Sequence, residues 1–230
     1  MARVFWRGIV NALALPAWIV GFGQFGVGAL GADIGLPLTM VTLSTPLVWA
    51  GPAQFVLFGG LAAGVGFLTI VAAVSLTAIR LLPMGISVLT LLRQPGQGVA
   101  MRLTLAHLVV VTTWVEGMKV LPGMARRDRV AWYLGFGLAC VIVSTLMTAL
   151  GYALSAGLPR YMAAGFMFVT PLFFLLSLIA AARATPDVIA IGLGLVLGAT
   201  LGPLVGPDLD LLLAGGIGGC FAFAVWRWRR

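Results

Sequence analysis

Residues 61–92 read LAAGVGFLTIVAAVSLTAIRLLPMGISVLTLL, an apolar run interrupted by one charge, Arg80. A straight helix of that length would measure about 48 Å at 1.5 Å per residue, against a bilayer hydrocarbon layer of about 30 Å. The run must tilt steeply or break, and Pro83 with Gly85 supplies a place, because proline removes an amide donor and its ring clashes with the preceding turn. Further apolar stretches flank it at 9–30, 36–58, 103–121, 130–154, 161–182, 188–204 and 211–226, the last two short enough to form a hairpin of thin or tilted helices. With 61% hydrophobic and 9% charged residues, the chain is not a soluble globular domain. Lipid satisfies no backbone group and no segment alternates as a barrel strand does, so the expected fold is all-α. The expectation is a polytopic integral membrane bundle of seven or eight transmembrane helices, some of them broken, forming a single transmembrane domain over 1–230.

The net charge of +8 could suggest nucleic acid, but such binders cluster their basic residues on a solvated face. Here Arg3 and Arg7, Arg93 and Arg102, Arg126, Arg127 and Arg129, and Arg227, Arg229 and Arg230 punctuate apolar segments. That pattern indicates a lipid bilayer with anionic headgroups as partner, and no nucleic acid. With eight spans, most arginines fall inside when both termini are cytoplasmic, in a plasma or inner membrane; Arg93, Arg102 and Arg160 do not fit. The basic beginning at Met1 to Arg7 resembles a signal peptide, but the following run is too long and lacks a cleavage site, so it reads as the first span. Cys140 and Cys220 lie in apolar runs without metal-ligand spacing.

An internal repeat is visible. Gly35-Leu36-Pro37 matches Gly157-Leu158-Pro159, and after a four-residue slip Phe55, Leu57, Ala62 and Ala63 match Phe173, Leu175, Ala180 and Ala181. The expected halves are 9–123 and 130–226, parallel and related by an axis along the membrane normal, the arrangement of one class of transporters.

Few residues could carry chemistry. Arg80 at membrane depth requires a partner or water, and its fork suits a carboxylate; snorkelling to headgroups is the alternative. In Ala50-Gly51-Pro52-Ala53-Gln54-Phe55, small residues and Pro52 surround one amide, Gln54, a composition that interrupts a helix and frees backbone groups for a polar site. Thr45-Pro46 precedes it, and Thr170-Pro171 occupies the matching place in the second half. Tight helix packing would also explain the small residues. Glu116 and Lys119 share a helix face with Thr112. Glu116 is either a proton carrier or one end of a structural ion pair. His107 reads as a packing or interface residue. The sequence has no HExxH, GxxxxGK[ST] or GxSxG motif, so it offers no metal site, no cofactor and no enzyme chemistry.

The order of motifs resembles the AzlC-type branched-chain amino acid exporters. The resemblance is carried by Leu15-Pro16 with Gly21-Phe22 and Gly26, by Ala50-Gly51-Pro52-Ala53-Gln54-Phe55, by Arg80-Leu81-Leu82, and by Gly165-Phe166-Met167-Phe168 with Pro171-Leu172-Phe173. The chain departs from the family's usual pattern at Ala78, Leu81 and Thr112-Thr113-Trp114-Val115-Glu116. The resemblance implies a secondary exporter of amino acids or related carboxylates working with a small AzlD-type membrane subunit. The expected roles are substrate binding for Gln54, Arg80, Pro52 and Thr170, and proton coupling for Glu116. A homo-oligomer is a further partner expectation, and a non-transporting subunit that anchors or assembles a partner protein is the alternative function.

Overall fold

The computed structural model describes residues 2–79, 81–155, 159, 161–162, 165, 172, 175, 179, 185–205 and 210–228. Arg80, Thr170 and most of the second member of the repeat, including Gly157, Leu158, Phe173, Ala180 and Ala181, lie outside them. The regular structure among the described residues is helical: α1 (Ala2–Ala14), α2 (Pro16–Asp33), α3 (Leu38–Val48), α4 (Gly51–Ala62), α5 (Phe67–Ala78), α6 (Leu81–Leu92), α7 (Val99–His107), α8 (Val111–Val120), a 3-10 turn at Leu121–Gly123, α9 (Arg126–Leu154), α10 (Thr185–Val205) and α11 (Asp210–Trp228). Two compact units divide the chain, Met1–Pro171 and Leu172–Arg230.

Among the described residues, only α9 is by itself long and apolar enough to cross a membrane. Its 29 residues make about 43 Å of helix. Three bent pairs reach the same length and apolarity when each is taken together: α1 with α2, α5 with α6, and α7 with α8 and its 3-10 turn. Several expected spans are therefore broken helices. The segment at 9–30 begins earlier, at Ala2, and bends by 56° ahead of Pro16. The segment at 36–58 is two helices, α3 and α4, and that at 103–121 turns by 110° between α7 and α8. The 61–92 run is interrupted twice, between the end of α4 at Ala62 and the start of α5 at Phe67 and between the end of α5 at Ala78 and the start of α6 at Leu81, so both breaks lie before Pro83 rather than at it. Pro83 is then in the first turn of α6, where its missing amide has no intrahelical acceptor to lose.

α9 is the post of the first unit. α1 and α2 pack along it in backbone contact, because glycines face each other at two levels: a Cβ on Gly8 would strike the carbonyl of Trp132, and one on Gly135 that of Phe5. Near the far ends, a Cβ on Gly28 would strike the carbonyl of Thr148, and one on Gly151 that of Phe25. The bent pair and α9 thus run in the same direction, with Gly8 beside Gly135 and Gly28 beside Gly151. In lipid, where apolar surface gains little by leaving its solvent, such close backbone approach is what holds helices together. Buried apolar side chains fill the remaining space, notably Trp132 stacked on Phe136 at 5.0 Å, with Tyr133, Leu105, Leu108 and Leu121.

Arg129 stands at the base of α9. Its guanidinium donates to the carbonyls of Met124, Leu91 and Pro122 at 3.1, 3.2 and 3.4 Å. Leu91 is in the last turn of α6, where unpaired carbonyls and the negative end of the helix dipole favour a cation. An arginine read from sequence as one of several loop charges is here a clamp between elements. In the second unit α10 packs on α11, with Gly218 against Leu193.

Candidate functional site

The break between α3 and α4 is written in the sequence. Pro46 supplies no amide to α3, and Pro52, in the first turn of α4, would clash with a turn continuing from α3, so the chain is extended at Ala50 before α4 begins. The chain turns at Trp49, whose backbone is left-handed at φ 48 and ψ 37. A bulky residue in that region costs on the order of 1–3 kcal/mol and persists only where its surroundings hold it. Here Trp49 is 3% exposed and belongs to the same buried cluster as Leu108 and Val109.

Polar side chains converge on the break. Gln54, in the first turn of α4, is fully buried. Its Nε2 donates to Ser44 Oγ at 2.8 Å and to Thr45 Oγ1 at 3.1 Å, both from α3. Thr45 Oγ1 lies 2.8 Å from Thr148 Oγ1 on α9. Because Thr148 gives its own proton to the Ser144 carbonyl at 2.9 Å and Ser44 gives its to the Val41 carbonyl at 2.7 Å, Thr45 must donate to Thr148. Both Gln54 amide protons are then used. What remains is Gln54 Oε1, a buried acceptor without a partner. Among the other unpartnered buried polar atoms of the described residues are Gln24 Oε1, Trp49 Nε1 and Ser144 Oγ. Gln24, on α2, faces the start of α4, its Nε2 4.0 Å from where a Cβ on Gly51 would stand. The amides of Gly51 and Ala53 have no backbone acceptor among the described residues, as expected for the first turn of a helix. Pro52 sits among them with no amide to leave unpaired, so the turn presents its donors without interruption by a side-chain cap.

The second break, between α7 and α8, is closed. Thr113 Oγ1 accepts from the Val110 amide at 2.9 Å and from the Tyr133 hydroxyl at 3.2 Å, and donates to the Leu108 carbonyl at 2.6 Å. The β-branched run Val109 to Val111 disfavours helix there, and Thr113 offers the backbone an alternative to it. His107 Nε2 hydrogen-bonds the Pro46 carbonyl at 2.7 Å, so the end of α7 is tied to the end of α3. The histidine read as a packing residue joins the two broken helices.

Glu116 and Lys119, on α8, form the expected pair at 2.9 Å. Their side chains are 22% and 51% exposed, so the pair stands at the edge of the protein rather than in its core. Thr112, on the same helix, is buried with an unpartnered hydroxyl. Of the expected substrate residues, the structure joins Gln54 to Thr45 and places Pro52 in the same first turn of α4; Arg80 and Thr170 fall outside the described residues. Sequence reading missed Gln24, Ser44, Ser144 and Thr148. Gln24 had a usable signal, since it and Gln54 are the two glutamines inside apolar stretches while Gln94 and Gln97 flank a turn. Thr148 had none, because a hydroxyl in a membrane helix ordinarily bonds its own backbone.

Comparison with curated proteins and with solved structures finds no match. A family model described as AzlC protein matches residues 16–158, which include the α3–α4 and α7–α8 breaks, α9 and every residue of the polar cluster. The chain therefore belongs to the AzlC family, a family of membrane proteins of amino acid export.

Proposed function

We propose that the chain crosses the membrane as a polytopic helical bundle and is a secondary transporter that exports an amino acid with an aliphatic side chain, using the α3–α4 break as its substrate site. The observation that carries this reading is the set of unpartnered polar atoms of both signs on Trp49 and Gln54, which flank the break, and on Gln24, which faces it. A zwitterionic amino acid requires both. Its ammonium needs acceptors, which Gln54 Oε1 and Gln24 Oε1 supply; its carboxylate needs donors, which the Gly51 and Ala53 amides, Trp49 Nε1 and the positive end of α4 supply. Discontinuous helices serve transporters in this way. An unpaired buried polar group costs about 1–3 kcal/mol, so a ligand that pairs several at once is favoured. Val27, Val41 and Phe58, fully buried one turn along α4 and on its neighbours, offer the aliphatic group apolar surroundings.

Further roles rest on the sequence. Arg80 is assigned to the substrate carboxylate, Thr170 to the counterpart of Thr45 in the second half, Glu116 to proton coupling, and a small AzlD-type subunit to the working complex. The two reciprocal glycine contacts support the internal duplication, since equivalent helices related by an axis along the membrane normal run parallel and meet at equivalent residues.

The test is counterflow in proteoliposomes containing the full chain, with and without the small subunit, using labelled leucine, isoleucine and valine and then other amino acids. Counterflow that Gln54→Ala abolishes while the variant stays folded is the expected result. Absence of counterflow with every amino acid, in both preparations, overturns the proposal.

A further inference from the structure

A second site lies away from the substrate cluster, where α6 turns into α7. A cavity of about 390 Å³ is lined there by Ile86, Leu89, Arg93, Gln97, Arg102 and Leu105, among others. Arg93 and Arg102 are two of the three arginines that do not fit the expected loop-charge topology. Neither forms an ion pair with a carboxylate among the described residues. The Arg102 Nε donates to the Gln97 carbonyl at 3.1 Å, which holds that guanidinium over the turn and leaves its remaining donors free. Gln97 accepts from the Gln94 amide through Oε1 at 3.4 Å, while its Nε2 is buried without a partner. Two unneutralised guanidiniums and one orphaned amide thus line one pocket, a donor set that suits a multi-oxygen anion such as phosphate.

The rest of the lining decides the source of that phosphate. Ile86, 63% exposed, stands seven residues before Arg93 on the same side of α6, about 10 Å along the helix. Leu89 fills the interval. On α7 the side chains of Val99 and Leu103 are 69% and 65% exposed, so this corner presents apolar surface beside its arginines. A soluble anion gains nothing from an apolar wall below its charge, whereas a phospholipid has a phosphate above and acyl chains beneath. We propose that this cavity binds the phosphate of an anionic phospholipid, with Arg93, Arg102 and Gln97 on the headgroup and Ile86 and Leu89 against an acyl chain. The cost of two unpaired arginines at the boundary is then offset by the lipid, in keeping with basic pockets between membrane helices.

The experiment measures thermal unfolding of the purified full chain in neutral detergent with added phosphatidylglycerol, with phosphatidylcholine, or with inorganic phosphate, together with native mass spectrometry of retained lipid. Phosphatidylglycerol should raise the Tm and remain bound, phosphatidylcholine should do neither, and inorganic phosphate at millimolar concentration should not reproduce the shift. Arg93→Gln with Arg102→Gln should abolish the difference between the two lipids, and Ile86→Ser should weaken retention. If the double variant does not fold, Gln97→Leu provides the same comparison with both arginines present. Equal response to the two lipids in the native chain, an unchanged preference in the folded variants, or an inorganic phosphate effect as large as that of phosphatidylglycerol and indifferent to Ile86→Ser overturns the proposal.

Discussion

Thr45 and Thr148, 103 residues apart in the chain, meet hydroxyl to hydroxyl at 2.8 Å in the buried interior. This bond joins the broken helix to α9, and it is the middle link in a directed series from Gln54 through Thr45 and Thr148 to the Ser144 carbonyl. The series orients the Gln54 amide so that its oxygen is the atom left open. Thr148→Val keeps the shape and removes the acceptor of the Thr45 proton. We expect it to cost about 1–3 kcal/mol of stability, the range for an orphaned buried donor, and to weaken transport by letting the Gln54 amide turn. Thr148→Ser should retain both properties. Chemical denaturation and counterflow of the same preparations check this, and a valine variant with native transport would separate Thr148 from the site.

The glycine contacts predict a position-dependent tolerance. Gly28→Val or Gly151→Val forces a side chain into the backbone of the opposing helix, which neither a rotamer change nor a small shift relieves. Overpacking of this kind costs about 1–3 kcal/mol and more where backbone must move. Gly59, also inside a helix, has open space where its Cβ would stand. Gly59→Ala should therefore be neutral or slightly stabilising, since alanine is the better helix former by about 1 kcal/mol. Folded yield after detergent extraction, followed by thermal unfolding, distinguishes the two classes; equal tolerance would contradict the packing.

Composition and run length made the all-helical fold legible, and Ala50-Gly51-Pro52-Ala53-Gln54 marked the α3–α4 break because proline acts locally. The α7–α8 break was not legible. No Pro or Gly lies between His107 and Val111; the turn is held by Thr113 through a tyrosine twenty residues later, and tertiary bonds of that kind leave no periodic signal. The same holds for Thr148. Pro83 shows the opposite error, a real breaker whose effect falls a few residues upstream because proline is tolerated in a first turn. Arg93 and Arg102 were visible as a misfit in the loop charges, but only the fold of α6 onto α7 puts both in one cavity.

Arg80 carries a prediction of its own from the chemistry of its side chain. If its fork holds a substrate carboxylate, Arg80→Lys should fail in transport almost as badly as Arg80→Ala, because an ammonium is a point charge and cannot reproduce two parallel hydrogen bonds. An arginine that only reaches the headgroups would accept lysine with little loss. Counterflow at saturating and subsaturating substrate reads the difference, and full transport by the lysine variant removes Arg80 from the substrate site.

Glu116 and Lys119 pose the last question, whether their 2.9 Å pair is structure or part of the transport cycle. As structure it is worth little: exposed ion pairs contribute about 0–1 kcal/mol, and Lys119 is half exposed. Glu116→Gln should therefore leave folding nearly unchanged, so that any effect on transport is an effect on mechanism. If Glu116 takes up and releases the coupling proton, the glutamine variant should lose net export driven by a proton gradient while still exchanging substrate across the membrane, because exchange needs no net proton movement. Lys119→Met should retain proton-driven export, since it removes the partner and leaves the carboxyl in place. Proton-driven export and exchange, measured across a range of pH in the same vesicles, check both variants. Export by Glu116→Gln with the native rate and the native pH profile would show that the pair is structural and that coupling lies elsewhere.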